Sequence, residues 1–207
     1  MKGRGAGSGR DARLPLFPLR TVLFPGGLLP LKVFETRYVD MAKACLADEQ
    51  PFGVCLLTEG EEVARPGAAA PQFASVGTAA RIVDWDMPEL GILHITTVGQ
   101  QRFRVIQHET AASGLVTGEV VAIEPEASIA LPPGHEPLAR LLELIATRLG
   151  PENFPAERRY HDGSWVGYRL AELLPLPLPV KQSMLEINEP ALRLAVLHRF
   201  LQQQGVL

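Results

Sequence analysis

Residues 14–46, reading LPLFPLRTVLFPGGLLPLKVFETRYVDMAKACL, constrain the fold more than any other part of this 207-residue chain. Residues 14–19 are apolar but interrupted by Pro15 and Pro18. Proline has no amide donor, so the piece is expected to be an edge strand or an extended arm. Pro25-Gly26-Gly27 makes a tight turn, because proline presets φ and glycine admits positive φ. Residues 28–34 form a second extended segment. The period then changes from 2 to 3.6. Tyr38, Met41, Ala42, Cys45 and Leu46 fall on one face of an amphipathic helix.

The rest of the chain divides by the same change of period. Residues 14–125 read as mainly β. Residues 52–57 are a short apolar run suited to a strand buried on both faces. Residues 58–73, rich in Glu, Gly, Pro and Ala, read as a loop of unusual length. Residues 77–86 and 90–99 are two strands around a turn at Met87-Pro88-Glu89. Around residue 103 the alternation is strict, with Phe103 and Val105 inward and Arg102 and Arg104 outward. Residues 115–124 make a last strand, with Gly118 as a bulge. Strands at this spacing suggest a closed or partly closed barrel.

Residues 126–134 form a Pro-containing linker. From residue 135 to 207 the period is helical. Leu138, Leu141, Leu142, Ile145 and Leu149 share a face that ends at Gly150-Pro151. Asp162 or Ser164 caps a helix carrying Val166, Leu170, Leu173 and Leu174. Residues 180–187 form a short helix, and Asn188 caps a last one. These helices are expected to make a small bundle packed on the strands. Residues 1–13 are basic and glycine-rich and are expected to be a disordered tail. They lack the apolar stretch of a signal peptide, and no segment of the chain is long and apolar enough to span a membrane.

Charge and cysteine usage exclude several classes. A formal net charge of −3 argues against a general binder of nucleic acid or anionic membranes. Cys45 and Cys55 lack Cys-x-x-Cys spacing and read as buried, reduced thiols, which fits a cytoplasmic setting. No two histidines have the i, i+4 spacing of a helical zinc site, and no G-x-S-x-G elbow occurs. No catalytic residue, metal ligand or cofactor-binding residue is therefore assigned.

Several blocks carry a resemblance to a known family. They are Pro15-Leu16-Phe17-Pro18-Leu19, Val22-Leu23-Phe24-Pro25-Gly26, Leu29-Pro30-Leu31 and Phe34-Glu35-x-Arg37-Tyr38. Later blocks follow in order: Phe52-Gly53-Val54, residues 76–82, Arg102-Phe103, residues 170–175 and Lys181-Gln182. Together they resemble the amino-terminal, substrate-binding domain of the Lon protease family in its stand-alone form. The resemblance covers nearly everything after Arg13. It implies an α+β fold: a mainly-β PUA-like barrel followed by a small α-helical bundle. Thr36 departs from the family pattern, which often has proline there. Full Lon proteases need a G-x-x-x-x-G-K-[ST] phosphate loop, and no such string occurs here. They also need a serine–lysine dyad. Lys181 and Ser183, two residues apart on a helix, point to different faces.

The resemblance implies a non-enzymatic module that recognises unfolded or apolar polypeptide segments, with a protease or a chaperone as partner, as a monomer or a homodimer. An RNA-binding PUA-like protein and an uncharacterised hydrolase are the alternatives. The candidate peptide-binding residues are Phe34, Glu35, Arg37, Tyr38, Trp85 and Arg102. Glu35, Arg37 and Tyr38 either lock the first helix onto the strands or line a groove. Arg102 reaches either solvent or the groove. Trp85, with Met87, sits at a hairpin tip, where an exposed aromatic suggests a contact surface.

Overall fold

The computed structural model describes residues 12–63 and 71–207. The tail reading for residues 1–11 and the middle of the long loop lie outside those residues. Six strands come first: β1 (Ala12–Leu19), β2 (Leu28–Val33), β3 (Phe52–Glu59), β4 (Gln72–Glu89), β5 (Ile92–Thr110) and β6 (Val116–Ala122). Helix α1 (Thr36–Ala47) interrupts them after β2. Helices α2 (Glu136–Leu149), α3 (Gly163–Leu173), α4 (Leu178–Glu186) and α5 (Pro190–Gln203) follow, with a 3-10 turn at Pro151–Asn153.

The strands form one mixed sheet in the order β2-β5-β4-β3-β1-β6. A further pairing of β5 with β6 closes five of them into a hydrogen-bonded ring and leaves β2 as an appended strand. The long β5 makes this possible. Its first part, from Leu93 to Val98, pairs β2, and its second part, from Phe103 to Thr110, pairs β6.

Strand β1 corrects the edge-strand reading. It lies inside the order, antiparallel to β6 from Ala12 to Leu16 and parallel to β3 from Leu16 to Leu19. The two partners hand over at Leu16. Each half is paired on one flank, so Pro15 and Pro18 each have a side on which a missing donor costs nothing. The hairpin tip also moves. Glu89 pairs Ile92, so the turn is Leu90-Gly91, with Gly91 at φ 86°, and Met87-Pro88-Glu89 belongs to β4. The bulge lies on β5, between Val105 and Gln107, and not at Gly118. Gly118 instead lets Leu16 approach; a Cβ there would sit 2.8 Å from Leu16 Cδ1.

The Pro25-Gly26-Gly27 turn forms as the sequence demands, with Gly26 at φ 72°. It docks on β5 through two backbone bonds: Gly26 N–H donates to Gly99 O at 2.7 Å and Gly99 N–H to Gly27 O at 2.9 Å. A side chain at residue 99 would collide with the carbonyl of Phe24, so glycine is required there.

Among the described residues three apolar clusters form the core. One, with Leu16, Cys55, Phe103, Val116 and Val120, is enclosed by the ring of strands. A second joins Phe17, Val33, Phe52, Leu93 and Ile95 to the Tyr38, Met41, Ala42 and Cys45 face of α1. The third and largest joins Val22, Phe24, Leu56 and Val76 of the strand part to the helices. Helix α3 is buried from Gly163 to Ala171 and packs against α2, α4 and α5. A helix buried all round is a core element rather than a surface one. Asp162 caps it, accepting from Ser164 N–H at 2.9 Å and Trp165 N–H at 3.3 Å. The cap of α5 is Glu189, one residue later than the sequence reading placed it. Both cysteines are buried free thiols, and burial pushes Cys55 up to about 12.

Candidate functional site

The junction between β2 and α1 is built from consecutive residues. The Glu35 carbonyl opens the helix by accepting from Tyr38 and Val39 N–H, each at 2.9 Å. The Glu35 carboxylate does not cap; it meets Arg37 Nη2 at 3.0 Å. Arg37 Nη1 donates to Gly114 O at 2.7 Å, tying the helix start to the turn before β6. Its guanidinium lies 4.4 Å above the Tyr38 ring, which stacks on Phe17 at 3.9 Å and 17°. Tyr38 is buried, and desolvation raises its hydroxyl pKa. These contacts lock α1 onto the strands. Of the two roles open to Glu35, Arg37 and Tyr38, the geometry supplies the structural one directly.

Strand β2 stands at the end of the sheet order, so its outer edge carries no strand among the described residues. Two cavities flank it. One, of about 130 Å³, is lined by Phe17, Leu19, Val33, Phe34, Tyr38 and Val63. The other, of about 340 Å³, is lined by Pro30, Asp84, Trp85, Asp86, His94 and Thr96. Leu31 and Lys32 line both. Phe34 and Trp85, one at each cavity, are 55% and 57% exposed. The structure thus brings Phe34, Glu35, Arg37, Tyr38 and Trp85 around β2.

Arg102 is elsewhere, and the outward placement of its side chain is corrected. It is 3% exposed. Its Nη1 donates to Leu185 O at 2.6 Å and Ile187 O at 3.2 Å, binding the strand part to the α4–α5 connection. Strict alternation fails here because the outer face of β5 at this point is covered by helices.

Glu126, in the linker, is the centre of this second cluster. Its carboxylate is 2% exposed. It accepts from Ser164 Oγ at 2.8 Å, Tyr168 Oη at 2.6 Å, and both Nη1 and Nη2 of Arg193. Burial raises its pKa, but the bonds from Arg193, Tyr168 and Ser164 outweigh burial and hold it below the usual carboxylate value. Arg193 is fully buried and donates Nε–H to Met184 O at 2.9 Å. A third buried guanidinium, Arg169, donates to Pro25 O at 2.8 Å and pairs with Glu172 at 3.1 Å. The sequence reading missed Glu126, Arg169 and Arg193. The available signal was helical phase: Arg193 precedes Leu194, Leu197 and Leu201 on the buried face of α5, and Arg169 sits three residues after Val166.

Among the described residues no group of three His, Cys, Asp or Glu side chains is placed to hold a metal ion. No described helix is long and apolar enough to cross a membrane. Lys181 and Ser183 have separate partners, the carbonyls of Glu172 and Pro179.

A mixed sheet whose end strand β2 is paired on one side only among the described residues, backed by helices, defines a small α+β module. Residues 13–203 match the family described as the ATP-dependent protease La (Lon) substrate-binding domain, and the chain belongs to that family. The crystal structure of a Lon N-terminal domain protein from Xanthomonas campestris is 38% identical, with a TM-score of 0.74 over 91% of this chain and 98% of that one. The Lon protease of Anaeromyxobacter dehalogenans is 29% identical over 201 residues, which is 93% of this chain. The chain spans 23% of that relative's length. The N-terminal domain of a Mycobacterium avium complex Lon protease, at 20% identity and a TM-score of 0.62, shares the fold.

Proposed function

We propose that this chain is a non-enzymatic polypeptide-recognition module that takes up extended, apolar-rich segments along the edge of β2 that carries no strand among the described residues. The observation that carries the reading is that edge, lying between two cavities with Phe34 and Trp85 at their rims. Backbone pairing to β2 supplies affinity, and alternate side chains of the added segment enter the cavities. Pro30 removes one donor from the edge, which limits pairing to part of the strand. Membership of a substrate-binding family agrees with this role. The ring of strands is read as a PUA-like barrel, and the setting as cytoplasmic, with a protease or a chaperone as partner. Catalysis is not assigned: the buried Glu126 carboxylate accepts from Ser164, Tyr168 and both terminal nitrogens of Arg193, so its four acceptor positions are occupied and none is left to act as a base.

Titration of a labelled unfolded protein and of an RNA oligomer at two salt concentrations tests the proposal. Polypeptide binding should be modest, because ordering an extended segment costs conformational entropy, and nearly insensitive to salt. Phe34→Ala and Trp85→Ala should each weaken it by about 1 kcal/mol or more without unfolding the protein. Absence of polypeptide binding together with steeply salt-dependent RNA binding would overturn the reading.

A further inference from the structure

The Glu126 cluster borders a cavity of about 300 Å³ that shares no lining residue with the two beside β2. Its lining includes the polar Arg102, Arg159, Glu126, Asp162 and Ser164 and the apolar Ile123, Pro125 and Trp165.

Its charged lining is even, Arg102 and Arg159 against Glu126 and Asp162, and Arg193, paired to Glu126, adds a third guanidinium. Two buried guanidiniums, Arg102 and Arg193, face one buried carboxylate, Glu126. Glu126 has spent its acceptor positions on Arg193, Tyr168 and Ser164. Arg102 Nη2 is left 3.5 Å from Glu126 Oε1, too far for a good hydrogen bond. The other carboxylate of the cavity, Asp162, is committed through Oδ1 to the cap of α3. It reaches Arg159 only at 3.5 Å. Arg159 also nears Glu157 at 3.6 Å, but that carboxylate is 79% exposed and screened by solvent. A buried guanidinium with an incomplete set of acceptors is costly, and an anion arriving from the cavity would relieve that cost.

We propose that this cavity binds a carboxylate carrying an apolar or aromatic substituent. The carboxylate takes bonds from Arg102 Nη2 and from Arg159, which is 44% exposed and able to swing toward it. The substituent lies against Trp165, Ile123 and Pro125. The apolar wall favours such a ligand over inorganic phosphate, which has no apolar part. The carboxylate belongs either to a free small acid or to the C-terminus of a polypeptide. The site does not depend on the role given to β2, so its failure leaves that reading standing.

Calorimetric titration of the full chain with N-acetyl-leucine, N-acetyl-leucinamide, inorganic phosphate and an acetylated tripeptide ending in a free leucine carboxylate tests the site. The acid should bind at least about tenfold more tightly than the amide. Arg159→Gln, with its fold checked by circular dichroism, should weaken the acid by about tenfold. Arg102→Lys keeps a cation but loses the planar fork and should weaken it as well. Binding of the tripeptide assigns the site to chain termini, and its exclusion while the acid binds assigns it to small free acids; both uphold the site. Equal binding of acid and amide, a preference for phosphate, or full affinity in Arg159→Gln would overturn it.

Discussion

Single residues in this protein carry constraints of very different kinds. Phe103 is enclosed by the ring of strands and touches the space above Gly53 and Gly77, where a Cβ would sit 2.6 and 2.8 Å from its ring. Phe103→Ala leaves a cavity that backbone on both sides cannot fill, so a loss of about 3–5 kcal/mol is expected in urea denaturation. A loss below about 1 kcal/mol would mean that the face is assigned backwards. Glu126 is different, because its removal strands charges rather than volume. Glu126→Ala should cost about 3–5 kcal/mol, since Arg193 and Arg102 would remain buried without a carboxylate. Phe103 could be found from alternation alone. Glu126 could not, because nothing local in a proline-containing linker says that two helices and a strand converge on it.

At the scale of elements, capping and strand pairing were legible to different degrees. The α3 start was readable from Asp162, whose carboxylate reaches the N–H groups two and three residues on. Asp162→Ala should cost about 0.5–2 kcal/mol, read as a lowered denaturation midpoint with an unchanged slope. The α1 face of Tyr38, Met41, Ala42 and Cys45 followed from the 3.6 period. Strand β1 did not follow. Two prolines say only that a flank must lack donors; they do not say that two partners share the strand end to end. The bulge after Val105 was equally hidden, since it arises from pairing with β6 across the hairpin.

The whole molecule is joined across its two parts by buried charge as well as by apolar area. Val22, Phe24, Leu56 and Val76 share a cluster with the helices, and Glu126, Arg102 and Arg193 cross the same boundary. This makes stability depend on acidity with a definite sign. Glu126 has a folded-state pKa below its ordinary value of 4.5, so the unfolded chain takes up this proton first as pH falls. Its stabilisation is present above pH 4.5 and is lost as the pH falls through the folded-state value. Glu172 works the other way, because burial raises its pKa despite Arg169 and Lys181. It favours the folded state in acid and loses that contribution as pH rises through its raised value. Acid unfolding of Glu126→Gln should therefore be less steep than that of the wild type as the pH falls below 4.5. Identical acid limbs would show that other carboxylates control the transition.

The α+β order of elements, the Pro25-Gly26-Gly27 turn, the buried face of α1 and the resemblance to a Lon substrate-binding domain are all written in the amino-acid order. Each is a local or periodic property: a φ preference, a hydrophobic repeat, or a short block of residues. Long-range contacts set which strands neighbour β1, that β2 stands at the end of the sheet order, that Arg102 turns inward, and that Glu126 meets Arg193 from 67 residues away. Those outcomes depend on contacts between segments distant in sequence. A charged residue is stable inside only when its partners arrive from elsewhere, and the sequence around Arg102, Arg193 or Glu126 does not name those partners.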